Sequence, residues 1–335
     1  MGIKGLTNVI ENKVPFGIKQ EKITYLKGKR VAIDMSLIVY QFLITHRFMK
    51  NDKGETTGHI YGTFNRLSGY LSNGIIPVCV FDGKPPDAKK GTIQSRNKGV
   101  KESVDKIEDL KKLPQTIEIK NKISDLEKRS IRMTWQHGED LKKLLTLMGI
   151  EWYQADGEAE AGCVWLVRNN HADTVMTEDM DTLPLGAPTL IRRRVHNGQK
   201  PDDISVFHLD KILKGLELTM EQFVDMCLLC GTDYTPSIPR VGSRTAYTYI
   251  KNNGNLLNTL EALREKSFTM GDFVLPSNEL YLEAKNIFMR SNDGIINMKD
   301  LEKPTPTVNK TELKNFLMFQ NINEIRINNA IKKAY

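Results

Sequence analysis

An α/β fold with a mostly parallel sheet flanked by helices is predicted by three features of this 335-residue sequence. Short apolar, β-branched segments alternate with helix-like stretches, the pattern of strands covered on both faces. Acidic residues fall at the ends of those segments. Beyond Glu221 the chain reads as helices separated by polar, Gly- or Pro-bearing turns.

Arg30–Asp34 (RVAID), Ile76–Asp82 (IPVCVFD), Ile150–Tyr153 and Asp173–Thr177 (DTVMT) have the look of buried parallel strands, and Thr189–Arg192 follows as another. Helices are expected between them over Ser36–Arg47, His59–Ser72, Gln136–Met148 and Glu158–Arg168. Later helices are expected over Glu221–Leu229, Ser243–Asn252, Leu256–Arg264, Glu279–Met289 and Thr311–Phe319, with an extended linker over Glu302–Asn309. A last helix, Asn323–Ala334, carries Ile327, Ala330, Ile331 and Ala334 on one stripe, which is expected to pack on the core.

Charge is unevenly spread. From Lys84 to Arg132 there are fourteen Lys/Arg against eight Asp/Glu, while the whole chain nets +7. Most of the excess therefore sits in one stretch, which Pro114 divides into two charged helical pieces. A solvated insertion is the plain reading of such a run. Placed just after a strand ending in Asp82, it also suits a basic arch over a catalytic edge. The net charge and a pI near 9.0 favour a polyanionic partner.

Several classes are excluded. No apolar run has bilayer-spanning length, no signal peptide opens the chain, and a soluble intracellular protein is expected. The opening MGIKGL lacks the Ser or Thr of a myristoylation signal, having Leu6 there. Four cysteines are too few for a disulfide scaffold. Cys227 and Cys230 form a lone C-x-x-C in an apolar run and read as core residues, not a zinc or redox site.

The acids carry the chemistry. Asp34 and Asp82 end two strands, and Asp179 and Asp181 follow a third; ligand sites of open α/β sheets lie at such carboxyl ends. Glu158 and Glu160, at the start of a helix after Asp156-Gly157, can both reach off its N-terminus. Asp233, in a turn after a helix, can approach from elsewhere. For any one acid a cap or surface role is the simpler reading. Seven together repel strongly unless cations neutralise them, and oxygen-only ligation points to Mg²⁺ or Mn²⁺. Two such ions would hold the attacking and leaving oxygens of a phosphodiester.

The same blocks carry a family resemblance. MGIKGL at Met1, KRVAIDMS around Asp34, IYGTFNRL at Ile60, PVCVFDGKPP at Pro77, DGEAEAGC at Asp156, TEDMDTLPLG at Thr177 and FVDMCLLCGTDY at Phe223 occur in order along the chain. In these the chain resembles flap endonucleases of the XPG-type structure-specific 5′ nuclease superfamily, in a compact form. The resemblance implies a PIN-like nuclease core, a basic helical arch and a helix–two-turn–helix. The expected regions are 1–83 (N-terminal nuclease), 84–133 (arch), 134–215 (internal nuclease), 216–300 (helix–two-turn–helix and helical) and 301–335 (C-terminal helices on the core).

Residue by residue, the resemblance implies metal ligation by Asp34, Asp82, Glu158, Glu160, Asp179, Asp181 and Asp233, with two Mg²⁺ (or Mn²⁺) per site. Lys89 and Arg96 match the catalytic basic residues at the foot of the arch, which stabilise charge on the attacked phosphate, and Lys128, Arg129 and Arg132 its flap-contacting residues. Tyr40 matches an aromatic that stacks on a nucleobase; Arg47 and Arg66 match basic DNA contacts. Ser237, Gly242 and Arg244 fall in the duplex-gripping hairpin, where K⁺ is implied. One departure stands out: the family's Gly-hydrophobic-Gly is Arg240-Val241-Gly242 here. A positive φ at the first position would strain Arg240.

The expected activity is Mg²⁺-dependent endonucleolytic cleavage of 5′ flaps with 5′–3′ exonuclease action, in DNA replication and repair. A 5′-exonuclease specialist or a catalytically silent DNA-binding scaffold are the alternatives, and the intact acid set argues against silence. The partner is branched or nicked DNA, with no membrane. A monomer is expected, in the nucleus or wherever the genome is replicated. No sliding-clamp motif is found before Tyr335, so recruitment through DNA structure and charge is expected.

Overall fold

β-Branched, apolar stretches do become strands, and a seven-stranded sheet organises the chain. The computed structural model describes residues 2–193, 202–265, 274–290 and 295–335. In chain order come α1 (Leu6–Lys13), β1 (Ile18–Lys22), β2 (Arg30–Asp34), α2 (Met35–Thr45), α3 (Gly58–Ser72) and β3 (Ile76–Phe81). Then follow α4 (Lys90–Lys111), α5 (Ile117–Ser130), α6 (Trp135–Leu147), β4 (Glu151–Gln154) and α7 (Ala159–Arg168). The sheet ends with β5 (Thr174–Met176), β6 (Thr189–Arg192) and β7 (Asp203–His208). Helices α8 (Leu209–Leu216), α9 (Met220–Cys230), α10 (Ser243–Asn253), α11 (Leu256–Glu265) and α12 (Asn278–Met289) come next. The last are α13 (Met298–Leu301), α14 (Lys310–Phe319) and α15 (Glu324–Ala334).

The strand order is β1-β7-β6-β5-β2-β3-β4. β2 pairs in parallel with β3 on one side and β5 on the other, and β5 pairs in parallel with β6. The chain runs outward from β2 to β3 and β4, then returns across β2 to form β5. The connections thus reverse direction between β2 and β5, and their carboxyl ends flank the crevice where such sheets bind ligands.

Two strands were not foreseen. β1 and β7 pair antiparallel, and β7 also runs antiparallel to β6. β1 (IKQEK) is an edge strand with no buried residue, so it has no apolar signature. β7 does bury Ile204 to Phe207, but its antiparallel pairing falls outside the strand–helix–strand rhythm. Helices α1, α8 and the short α13 were also missed. Boundaries elsewhere shift by one or two residues: Asp82 lies just past β3, β4 starts at Glu151, and Glu158 is the N-cap of α7 rather than its first residue.

The chain divides into two compact units. The first, Met1–Asp34, Asn73–Ala88 and Tyr153–Glu302, holds most of the sheet. Its core joins Leu6 and Ile10 of α1, Val78 and Val80 of β3, and Leu166 of α7 to helix α9, which is buried from Phe223 to Cys230. Thr219 and Gln222 start α9 with a reciprocal capping box, which satisfies two otherwise orphaned amides. Pro239 and Arg240 lie in the loop before α10, and Arg240 takes φ 63°, so the strain anticipated there is present. A bulky L-residue in that region costs about 1 kcal/mol.

The second unit, Met35–Ser72, Lys89–Trp152 and Lys303–Tyr335, is helical. Phe42, Phe64, Leu144, Leu317 and Ile327 are buried in it, one from each of α2, α3, α6, α14 and α15. α15 turns Ile327 inward against α3, within this helical unit. α4 and α5 form a charged hairpin broken at Pro114, and little besides Ile107 and Ile123 is buried along it.

In the first unit, Asp225 of α9 is 0% exposed and pairs with Lys285 of α12 at 2.7 Å. It also accepts the Leu256 amide at 3.0 Å. Burial still holds its carboxyl above the ordinary range, so these partners offset only part of the desolvation. The same lysine meets Glu221, which is 63% exposed, at 2.8 Å. Asp225→Ala should therefore cost about 3 kcal/mol in urea denaturation, by stranding a lysine and an amide. Glu221→Ala should cost under about 1 kcal/mol in the same assay.

Candidate active site at the carboxyl ends of the central strands

Seven acids of the first unit converge where β2, β3 and β5 end. Asp34 is the last residue of β2, and Asp82 follows β3 directly. Asp179 and Asp181 sit on a 3₁₀ turn just beyond β5. Glu158 caps α7 and Glu160 lies in its first turn. Asp233 is in the loop after α9. Asp34, Asp179 and Asp181 are 2%, 6% and 5% exposed, which is unusual for carboxylates.

Their mutual field is strong. Burial, then Asp179, Asp181, Asp34 and Glu158, raise the Glu160 carboxyl well above its ordinary value. Burial, then Asp179 and Asp233, do the same to Asp181. A few neutral donors answer this charge. The Ile3 amide donates to Asp181 at 2.9 Å, and the Ala159 amide to Asp82 at 2.7 Å. Thr177 Oγ1 donates to Asp34 at 3.2 Å, and the Tyr234 hydroxyl donates to Glu158. Burial and the Glu158 charge hold the Tyr234 phenol far above its usual range, so it stays a donor.

Sequence reasoning missed these donors. The acids are found by counting charges, but Tyr234 and Thr177 are ordinary members of their blocks until the fold brings them to a carboxylate. The chain start is the clearest case. Gly2 has φ 93°, and a Cβ there would lie 2.1 Å from Asp179 Oδ1 and 3.0 Å from Asp181 Oδ1. MGIKGL is thus a segment laid across two acids; Met1 itself is outside the described residues.

Beside Glu158 opens a cleft of about 560 Å³, lined by Lys84, Trp165, Arg168, Tyr234 and Arg290 among others. Cys227 and Cys230 are buried and free; burial pushes the Cys230 thiol to about 12, in keeping with core residues.

The expected DNA contacts lie in two places. In the second unit Lys89 is the N-cap of α4 and Arg96 is seven residues on, a spacing that gives one helix face. Arg132 donates to the Arg96 carbonyl at 2.9 Å, and Lys128 pairs with Asp125 at 2.8 Å, while Arg129 is exposed. Arg47 donates to Ser124 at 2.9 Å and stacks on Phe48, which is 75% exposed. Arg66 lies over Phe42 and donates to Gln41 at 3.0 Å. Tyr40 is half-buried, its hydroxyl donating to the Ile131 carbonyl at 3.0 Å. In the first unit Ser237, Gly242 and Arg244 are exposed around the start of α10.

Among the described residues no three His, Cys, Asp or Glu side chains close into a finished metal cage. The donor chemistry nevertheless suits a hard cation: carboxylate oxygens alone, three of them buried, with neighbouring acids adding to the proton affinity of Glu160 and Asp181. An acid cluster at the switch point of a mostly parallel sheet defines the class of carboxylate-based, metal-dependent phosphodiesterases.

Comparison with known proteins narrows this. Residues 1–103 match the XPG N-terminal domain and residues 149–233 the XPG I-region. Flap endonuclease 1-A of Sorghum bicolor is 38% identical over 339 residues, covering 99% of this chain and 86% of that protein. The catalytic core of Rad2 in complex with DNA substrate superposes with TM-score 0.74 at 21% identity, covering 100% of both chains. Flap endonuclease-1 from Methanococcus jannaschii superposes at 0.67 with 25% identity, covering 96% of this chain and 98% of that one. The chain belongs to the flap-endonuclease family of XPG-type nucleases. It is a phosphodiester-hydrolysing enzyme of a metal-dependent family, and among its described residues no helix is long and apolar enough to cross a membrane.

Gly2 offers a direct test of the acid geometry. Gly2→Ala should displace Asp179 and lower metal-supported turnover by about 10²-fold, the scale of an ångström misplacement at a reacting centre. Gly28 has φ 77° but open space around it. Gly28→Ala should cost about 1 kcal/mol of stability and leave turnover unchanged. Steady-state cleavage and thermal melting of both variants check this.

Proposed function

We propose that the protein cuts branched DNA at 5′ flap junctions, and trims 5′ ends, with two Mg²⁺ held by Asp34, Asp82, Glu158, Glu160, Asp179, Asp181 and Asp233. One observation carries the reading: burial, and then the other acids of the same group, drive Glu160 and Asp181 well above the ordinary carboxylate range. Charge gathered at that expense has a use if cations and a phosphodiester share it. When bound, the ions neutralise the acids, activate water and stabilise the leaving oxygen.

The chain's own residues then divide the remaining work. Tyr234 and the Ile3 and Ala159 amides orient individual carboxylates. Lys89 and Arg96 stabilise the negative charge that builds on the attacked phosphate, and Tyr40 stacks on a base beside the cut. Arg47, Arg66, Lys128, Arg129 and Arg132 hold phosphates of the substrate, several of them exchanging an internal partner for DNA. Ser237, Gly242 and Arg244 grip the duplex, with K⁺ bound at their loop as the family resemblance suggests. The reaction serves replication and repair, in the nucleus or wherever the genome is copied.

The deciding experiment sets end-labelled 5′-flap, nicked and 3′-flap DNA side by side with Mg²⁺ or EDTA. Cleavage at the 5′-flap junction that requires Mg²⁺ is expected; equal cutting of the 3′ flap, or none, would overturn the reading. Asp181→Ala should lose over about 10³-fold in cleavage while flap affinity, supplied chiefly by basic residues, changes less than about threefold. For Lys89→Ala and Arg96→Ala the single-turnover rate should drop about 10²–10³-fold, with little loss of binding. A defect confined to affinity would instead make both residues phosphate-positioning contacts.

A further inference from the structure

Ile238, Pro239, Arg240 and Val241 form a tight turn in which the Val241 amide donates to the Ile238 carbonyl at 3.1 Å. Proline in its second position and φ 63° in its third mark a type II turn, whose third residue is ordinarily glycine or asparagine. Ile238 and Val241 are 2% and 6% exposed and pin both ends, so the backbone at 240 has no slack to relax. Among the described residues three other non-glycine residues have positive φ: Asn170, Glu217 and Asn321. Asparagine tolerates that region, and Glu217 ends α8 with its carboxylate 3.0 Å from Lys251. Arg240 is a long exposed cation with no hydrogen bond or ion pair among the described residues.

Nothing within the fold is gained from an arginine at this position. Its charge does suit one kind of partner. Between Asp233 and Glu261 the sequence has no acidic residue, while Arg240, Arg244 and Lys251 all stand there. We propose that Arg240 is a duplex-positioning residue: its guanidinium contacts a backbone phosphate of the DNA, and the strained turn is kept for that contact. The inference rests on the DNA-cleaving reading above and goes beyond it. The turn that resembles a glycine hairpin becomes in this chain a side-chain phosphate contact, adding about one ion pair to the binding. Arg240 touches no reacting atom in this assignment and acts on duplex affinity alone.

The test compares wild type, Arg240→Gly and Arg240→Lys by thermal melting, by flap-DNA affinity across a salt series in EDTA, and by single-turnover cleavage at saturating protein. Arg240→Gly should melt higher than wild type, because glycine relieves the turn. It should also bind about three- to tenfold more weakly near physiological salt, with a log–log salt slope shallower by about 1. Its cleavage rate at saturation should be unchanged, and Arg240→Lys should keep the wild-type slope. Wild-type affinity and slope in Arg240→Gly would overturn the proposal. So would weaker binding accompanied by a lower melting point, which would trace the loss to a misshapen turn. If wild type itself binds no flap DNA, the nuclease reading fails and this inference falls with it; that outcome is visible before any variant is compared.

Discussion

Like charge held at close quarters is the constraint on which the rest of this molecule depends. Asp34, Asp179 and Asp181 are nearly inaccessible, and burial together with the surrounding anions holds the Glu160 carboxyl well above its ordinary value. Three backbone amides, a threonine hydroxyl and a phenol answer five of the seven carboxylates one at a time. Such an arrangement opposes folding. It persists because the strands that carry the acids are short, β-branched and buried, and β2 is hydrogen-bonded in parallel on both sides. The apolar core beneath supplies the stability that the acids consume, the usual relation between a functional site and its scaffold.

The helical unit follows different physics. α4 and α5 together run from Lys90 to Ser130, yet Ile107 and Ile123 are among their very few buried side chains. Helices so lightly anchored open at low free-energy cost, whereas α3 and α6 are locked by Phe64, Leu144 and their neighbours. Salt bridges along the hairpin, such as Lys122 with Glu118 at 2.6 Å, are exposed and contribute little. The basic stretch therefore has the energetics of a segment that a polyanion can reshape.

Much of this was legible in the residues because the strongest signals are local. Arg30–Asp34 and Ile76–Phe81 announce themselves by β-branching, and the acids that follow them need only the rule that sites lie at strand ends. Elements whose stability comes from tertiary partners were not legible. β1 has almost no apolar residue and exists because β7 offers it an edge; β7 has the residues but an orientation that strand–helix alternation does not suggest. The acids themselves were found, while the groups that restrain them were not. Tyr234 reaches Glu158 across 76 positions and the Ile3 amide reaches Asp181 across 178, and no periodicity encodes such distances.

The two compact units interleave along the chain, which passes between them five times, at residues 34, 72, 88, 152 and 302. Neither is therefore a continuous stretch that a ribosome could release and let fold alone. The sheet waits for β5 to β7 before β2 gains its second neighbour, and α3 and α6 remain uncovered until α14 and α15 have been synthesised. Nascent chains thus carry incomplete apolar surfaces through most of their synthesis, and chaperone protection during translation has its greatest value for a chain wired in this order.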